Sequence, residues 1–134
     1  STQGWYQVPE PLREKAAEIF GAGSCGDEEA RATIGRLYRE EGYLADPHTA
    51  VAASLAGPGT LGVSTASPYK FPACALEALG QVPAGEDFDQ LDQLSRAPGT
   101  PVPAPLADLR SREVRFRESC DPAAMLQAVR QGLA

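Results

Sequence analysis

The chain has 134 residues, a formal net charge of −6, three cysteines and one histidine, which suffices for one domain with a single hydrophobic core. An acidic chain without a basic run is a poor ligand for nucleic acid, and no apolar run approaches the roughly 20 residues that span a bilayer. Three widely spaced cysteines without a paired motif indicate reduced cytoplasmic thiols, and they predict neither a disulfide framework nor a metal site.

Two amphipathic helices are predicted in the first third of the chain. The first carries apolar residues at helical spacing over Val8–Phe20, and we expect that stripe to be buried. The second is predicted over about Asp27–Glu41, with acidic residues in its first turn, where the helix dipole favours them. Gly42 is predicted to end this helix as a left-handed cap, with Tyr43 and Leu44 folding back onto its last turn.

The stretch that follows is the part of the chain most suited to a functional site. Asp46 is predicted to cap a third helix over Pro47–Leu55, because its carboxylate accepts hydrogen bonds from free backbone N–H groups. Leu61–Ala66 is small and apolar, which is typical of a strand buried on both faces. Since ligands of α/β proteins bind at the carboxyl ends of strands, the hydroxyls of Ser64 and Thr65 are predicted to face a site.

The remainder of the chain is predicted to hold three more helices and a second strand. Ser67 and Pro68 are expected to cap a helix that ends at Gly80, and a short helix is expected around Phe88–Leu94, within a stretch otherwise rich in loops and prolines. Val114–Arg117 alternates apolar and basic residues, which predicts an edge strand with one wet face. An Asp-Pro pair at Asp121 opens the last helix. The predicted fold class is therefore α/β, mostly helical, with one buried strand and one edge strand.

The residues taken alone do not supply a complete catalytic set. No glycine-rich phosphate-binding loop occurs, and the single histidine, His48, lies in the first turn of the third helix. It either faces a ligand or serves as a hydrogen-bonded structural residue. Lys70 is the one lysine near the predicted strand end, but a Schiff-base lysine requires a desolvated pocket, whereas Lys70 falls in an exposed first turn.

Two runs of sequence resemble a known family. They are DEEARATIGRLYREEGYLADPHTAVA and LGVSTASPYKFPACALEALG, which look like the C-terminal part of threonine synthase, with similarity over about 6–134. That family is a group of pyridoxal-phosphate-dependent lyases of fold type II. The resemblance implies a place within a three-layer α/β/α domain, in an enzyme of threonine biosynthesis that converts O-phosphohomoserine and water to threonine and phosphate.

The resemblance also implies that part of the active site is missing from this chain. In the family, the lysine that binds the cofactor and the cradle for the cofactor phosphate lie in the N-terminal half, which has no counterpart in this sequence. Residues 1–134 therefore correspond to a C-terminal segment, with no catalytic residue of its own. Its expected partners are the N-terminal half of the same enzyme and the small-molecule substrate. The isolated chain is expected to be inactive.

One role carries over by position. The threonine that hydrogen-bonds the pyridine nitrogen in the family corresponds to Thr65. His48 matches the family's Asp-Pro-His-Thr run and, together with Ser64 and Ser67, is expected in the vicinity of the active site. Ser67 stands where the family usually has histidine, and Tyr69 where it often has alanine, so the role of that histidine has no counterpart here.

Two alternatives remain open. One is a threonine-synthase-like protein that binds the cofactor without this reaction, for which Ser67 is the only clue. The other is an independent interaction module, which the sparse strands and the incomplete catalytic set allow. The coding sequence upstream discriminates between the enzyme and the module, because a segment with the cofactor lysine supports the enzyme and a start codon just before Ser1 supports the module.

Overall fold

A computed structural model describes residues 4–97, 101–115, 117 and 119–132 of the chain. The chain divides into two units, Ser1–Val102 and Pro103–Ala134. Every residue that is buried within the described ranges belongs to the first unit. None of the helices in these ranges is long and apolar enough to cross a bilayer.

The first unit is a small packed group of helices. Helix α2 packs against α3 and α4, and α4 packs against α5. The described residues of this unit form five α-helices and one 3-10 turn: α1 (Glu10–Ala17), α2 (Asp27–Glu41), α3 (Pro47–Leu55), the 3-10 turn Pro68–Lys70, α4 (Pro72–Ala78) and α5 (Asp87–Leu94).

The core of this unit is built mostly from small and aliphatic side chains of the packed helices, together with Tyr69 of the 3-10 turn. The largest aliphatic ones are Ile34 of α2, Leu76 of α4 and Leu94 of α5, all fully buried. Removing a side chain of this size from water stabilises the folded state by about 1.5–3 kcal/mol. Ala50 is also fully buried, and its small side chain brings α3 close to its neighbours.

Helices α2 and α3 have the bounds that the sequence predicted. Gly42 has φ +67°, and its N–H donates to the carbonyl of Tyr38 at 3.1 Å. Tyr43 N–H donates to the carbonyl of Leu37 at 3.3 Å, and Leu44 is buried. The chain therefore folds back on the last turn of α2, as predicted from the glycine.

The second unit has little interior. None of its described residues is buried. The last helix, predicted from the Asp-Pro pair, is confirmed as α7, although a 3-10 turn precedes it and Asp121 makes no side-chain cap. The described elements of this unit are α6 (Ala104–Ala107), the 3-10 turns Asp108–Ser111 and Pro122–Ala124, and α7 (Met125–Gly132).

The predicted α/β fold class is wrong for this chain. None of the described residues lies in a strand. Leu61–Ala66 is irregular, with Leu61 89% and Val63 71% exposed. A strand needs a neighbour to satisfy its backbone N–H and C=O groups, and no described segment pairs with this one. The predicted place in a three-layer α/β/α domain is therefore not supported by the observed fold.

Three further predictions require correction. The predicted edge strand Val114–Arg117 is absent at its described positions, while Phe116 lies outside the described residues. The apolar stripe of α1 is not buried, because α1 does not belong to the packed group of α2, α3, α4 and α5. The helix predicted from Ser67 is divided in two, since Pro72 begins α4 after the separate 3-10 turn.

Candidate functional site

The best-organised group of polar side chains lies where α3 begins. Asp46, only 1% exposed, precedes Pro47 at the first position of the helix. Its carboxylate accepts hydrogen bonds from the backbone N–H groups of His48 at 3.0 Å and Thr49 at 3.4 Å. The predicted cap is confirmed, and it satisfies two N–H groups that the helix itself leaves unpaired.

Two side chains donate to the same carboxylate. The ring nitrogen Nδ1 of His48 lies 3.1 Å from Oδ1 of Asp46, and Oγ1 of Thr49 donates to Oδ2. Burial alone raises the pKa of Asp46, but the hydrogen bonds from Thr49 and His48 outweigh burial and hold the pKa below its ordinary value of 3.8. Asp46 is therefore an anion at neutral pH.

One ring nitrogen of His48 is hydrogen-bonded, while most of the side chain is exposed to solvent. Because a carboxylate only accepts hydrogen bonds, Nδ1 carries the hydrogen, and Nε2 of the neutral ring is the unprotonated nitrogen. The ring of Phe71 lies 5.1 Å away between centroids, inclined at 58°. The histidine side chain is 67% exposed. The hydrogen-bonded role left open by the sequence is therefore observed, while a ligand at Nε2 stays a prediction.

A chain of hydroxyl groups extends from Asp46 toward the end of α2. Oγ1 of Thr49 and Oγ of Ser64 are 3.0 Å apart, and Oη of Tyr43 and Oγ of Ser64 are 3.2 Å apart. Since the Thr49 hydrogen goes to the carboxylate, Thr49 accepts from Ser64, and Ser64 accepts from Tyr43. The direction of donation therefore runs from the phenol to the buried carboxylate.

A groove of about 420 Å³ adjoins these hydroxyls. Its wall is formed by the end of α2, one face of α3 and the irregular segment after it. Most of the lining is apolar, with hydroxyl groups at four positions: Leu37, Tyr43, Thr49, Ala52, Ala53, Ala56, Thr60, Leu61, Gly62, Val63 and Ser64 line it. Such a surface suits a ligand with an apolar body and a few polar atoms.

Thr65 and Ser67, the other two residues predicted for the site, lie outside this network, as do Tyr69 and Lys70. Thr65 is exposed, and its hydroxyl makes no hydrogen bond with any residue that the structure describes. Ser67 accepts from the backbone N–H of Tyr69 at 3.3 Å, so it caps the 3-10 turn. Tyr69 is buried, and burial raises its pKa. Lys70 is exposed at the end of the same turn.

Two members of the network were not predicted from the sequence. Thr49 is the third residue of α3, where a polar side chain often reaches back to the cap, so its position carried a usable signal. Tyr43 carried none, because its partner Ser64 is 21 residues away. Among the described residues, no group of three or more His, Cys, Asp or Glu side chains is arranged to hold a metal ion.

No family model matches the chain, but individual proteins do. Threonine synthase of Pseudomonas aeruginosa is 36% identical over 135 residues, which cover 93% of this chain and 25% of that protein. Threonine synthase-like 1 of Homo sapiens and that of Pongo abelii are each 41% identical over 51 residues, which cover 38% of this chain and 7% of theirs. The chain thus spans about a quarter of the length of the curated threonine synthase that it matches.

Proposed function

We propose that this chain, which is homologous to threonine synthase, forms the C-terminal segment of an enzyme. That enzyme converts O-phosphohomoserine and water to threonine and phosphate. The observation that carries the proposal is the 36% identity over 93% of the chain. The intact enzyme would be a pyridoxal-phosphate-dependent lyase of threonine biosynthesis. Its remaining part, the N-terminal half, would be the principal partner of this segment.

The residues present fit one end of the cofactor. Thr65 offers an exposed hydroxyl that has no partner among the described residues, and a hydroxyl is a suitable donor to a pyridine nitrogen. The apolar groove beside Ser64 suits the body of an aromatic ligand. The lysine and the phosphate cradle would come from the N-terminal half, because Lys70 is exposed to solvent rather than desolvated.

When bound, pyridoxal phosphate supplies an electron sink for negative charge that develops on the substrate. Thr65 would orient the pyridine ring through its nitrogen. Being neutral, the hydroxyl would not hold that nitrogen protonated as a carboxylate does. His48, with Nδ1–H held by Asp46, would accept or return a proton at Nε2. The apolar side chains of the groove would exclude water from the face that they cover.

The isolated chain is proposed to be inactive, because the groups that bind the cofactor covalently and hold its phosphate belong to the other half. A second candidate is a threonine-synthase-like protein that binds the cofactor without this reaction. One observation favours it: the family's histidine position is occupied by Ser67, whose hydroxyl is engaged in capping a turn.

The test is an assay of phosphate release from O-phosphohomoserine by the full-length protein, with cofactor affinity measured in parallel. We expect release in the wild type, and weaker cofactor binding with slower release in Thr65→Val, which keeps the side-chain shape but removes the donor.

Ser95→Ala is the control for this assay. It also removes one exposed hydroxyl, but at the end of α5, where that hydroxyl donates to the carbonyl of Asp92 and lines no part of the groove. We expect its cofactor affinity and phosphate release to match the wild type. Cofactor binding without phosphate release in the wild type would favour the second candidate, and wild-type behaviour of Thr65→Val would remove Thr65 from the site.

A further inference from the structure

The segment that carries Thr65 has few attachments to the rest of the unit. Residues 61–65 form no helix or strand, and they are all exposed. Among the described residues, the hydrogen bonds of this segment are the two at Oγ of Ser64. Gly62 adds backbone freedom in its middle. A segment of this kind samples many conformations unless its few contacts hold it.

Both partners of Ser64 are themselves held by regular structure. Tyr43 follows the left-handed cap of α2, and its backbone N–H is bound to Leu37 at 3.3 Å. Thr49 lies in the first turn of α3, and its hydroxyl is bound to the buried carboxylate of Asp46. The hydroxyl of Ser64 is therefore held between the first turn of α3 and the loop that joins α2 to α3.

We infer that Tyr43 and Thr49 are positioning residues, which act through Ser64 to place the hydroxyl of Thr65. Thr65 is the next residue along the chain, so the direction of its side chain follows from the backbone that Ser64 anchors. The inference rests on the proposed function, because the ligand of Thr65 is taken to be the pyridine nitrogen. Without the two hydrogen bonds to Ser64, the free energy needed to order the segment would weaken cofactor binding.

A substitution at Tyr43 gives the cleanest test of the hydrogen bonds to Ser64. Tyr43→Phe removes the phenol oxygen and keeps the ring, whereas a change at Thr49 also disturbs the capping carboxylate. Ser64→Ala removes both hydrogen bonds at once. Tyr6→Phe is the matched control, since Tyr6 is exposed and far along the chain from the network. The fold of each variant is checked by its unfolding transition.

The first readout needs no cofactor. Backbone NMR relaxation of the 134-residue chain reports the order of the amide of Thr65 on the picosecond-to-nanosecond timescale. We expect that order to decrease in Tyr43→Phe and decrease further in Ser64→Ala, and to stay unchanged in Tyr6→Phe. Unchanged order at Thr65 in both network variants would overturn the inference, because Ser64 would then not hold the segment.

The second readout is the affinity of the full-length protein for pyridoxal phosphate. One neutral hydrogen bond corresponds to roughly a two- to tenfold change, so we expect Tyr43→Phe to weaken binding by that factor. In a Thr65→Val background the same change should have no further effect. Wild-type affinity of Thr65→Val would contradict the proposed role of Thr65. Weaker binding in Thr65→Val with wild-type affinity in Tyr43→Phe would overturn the positioning inference alone.

Discussion

At the scale of single residues, Asp46 is the side chain on which the candidate site depends. It is buried, it caps α3 and it accepts from the ring of His48 and the hydroxyl of Thr49. A buried carboxylate is tolerated only when donors surround it, because an unpaired buried charge is costly. The same carboxylate thus caps α3 by accepting from backbone N–H groups, and it orders the candidate site by accepting from the side chains of His48 and Thr49.

The stability of the chain should depend on pH through Asp46. Its pKa is lower in the folded protein than the ordinary value of 3.8, so the unfolded chain binds the proton more readily. The stabilisation is then complete above about pH 5 and is lost as the pH falls through the lowered pKa. Chemical unfolding between about pH 7 and about pH 3 measures this loss.

Asp46→Asn is the comparison for that measurement. At neutral pH we expect this variant to be less stable by about 1–3 kcal/mol, because an amide accepts fewer hydrogen bonds than the carboxylate does. The difference from the wild type should shrink as the pH falls, since protonation deprives the wild type of the same anion. A constant difference across the pH range would contradict this account.

The tautomer of His48 is a second prediction at this scale. Because the chain has one histidine, its imidazole nitrogens can be assigned without ambiguity. We expect the neutral ring to carry its hydrogen on Nδ1, since that atom lies 3.1 Å from the Asp46 carboxylate. Nitrogen-15 NMR at a pH where the ring is neutral distinguishes the two tautomers. A hydrogen on Nε2 would contradict the observed pairing.

At the scale of elements, the crossing of α2 and α4 depends on one glycine. A Cβ atom at Gly35 would lie 2.6 Å from the backbone oxygen of Ala78, and a backbone oxygen in a packed helix does not move aside easily. In an open helix, replacing glycine by alanine stabilises by about 0.5–1 kcal/mol. At Gly35 the steric clash opposes that gain.

We therefore expect Gly35→Ala to destabilise the chain by roughly 1–3 kcal/mol, the usual cost of overpacking. Ala32→Gly, at an exposed position of the same helix, is the control, because it makes the reverse exchange where no clash is involved and so measures helix propensity alone. Urea denaturation of both variants provides the measurement. A more stable Gly35→Ala protein would show that the two helices can separate at little cost.

The predicted strand Leu61–Ala66 shows how an element depends on its surroundings. The composition of Leu61–Ala66 suits a buried strand, yet the segment is exposed and irregular over most of its length. Strand propensity expresses packing against neighbours more than a preference of the backbone itself. The apolar stripe of α1 is exposed for the same reason, since periodicity marks a face that can be buried and does not provide a surface to cover it.

At the scale of the whole molecule, the chain should not bind pyridoxal phosphate covalently by itself. Lys70 is exposed at the end of a 3-10 turn, where nothing desolvates its amine. We expect the 134-residue chain mixed with the cofactor to show no visible absorbance band that disappears in Lys70→Ala. Lys15→Ala, on α1, is the control. A band lost specifically with Lys70 would place the reactive lysine within this chain.

The sequence by itself determined the features that depend on a few neighbouring residues. Gly42 ends α2, and Asp46 with Pro47 begins α3, because each boundary is fixed by hydrogen bonds within a single turn. The resemblance to threonine synthase was likewise legible in the sequence, and 36% identity over 93% of the chain supports it. Thr65 as a ligand of the cofactor stays a prediction.

The tertiary structure decided what depends on distant residues. Ser64 meets Tyr43 and Thr49 across 21 and 15 positions, and no local pattern encodes such a pairing. Whether Leu61–Ala66 forms a strand also depends on a partner elsewhere, which the described residues do not provide. Helices satisfy their backbone hydrogen bonds internally, whereas strands and side-chain networks need partners that only the folded chain brings together.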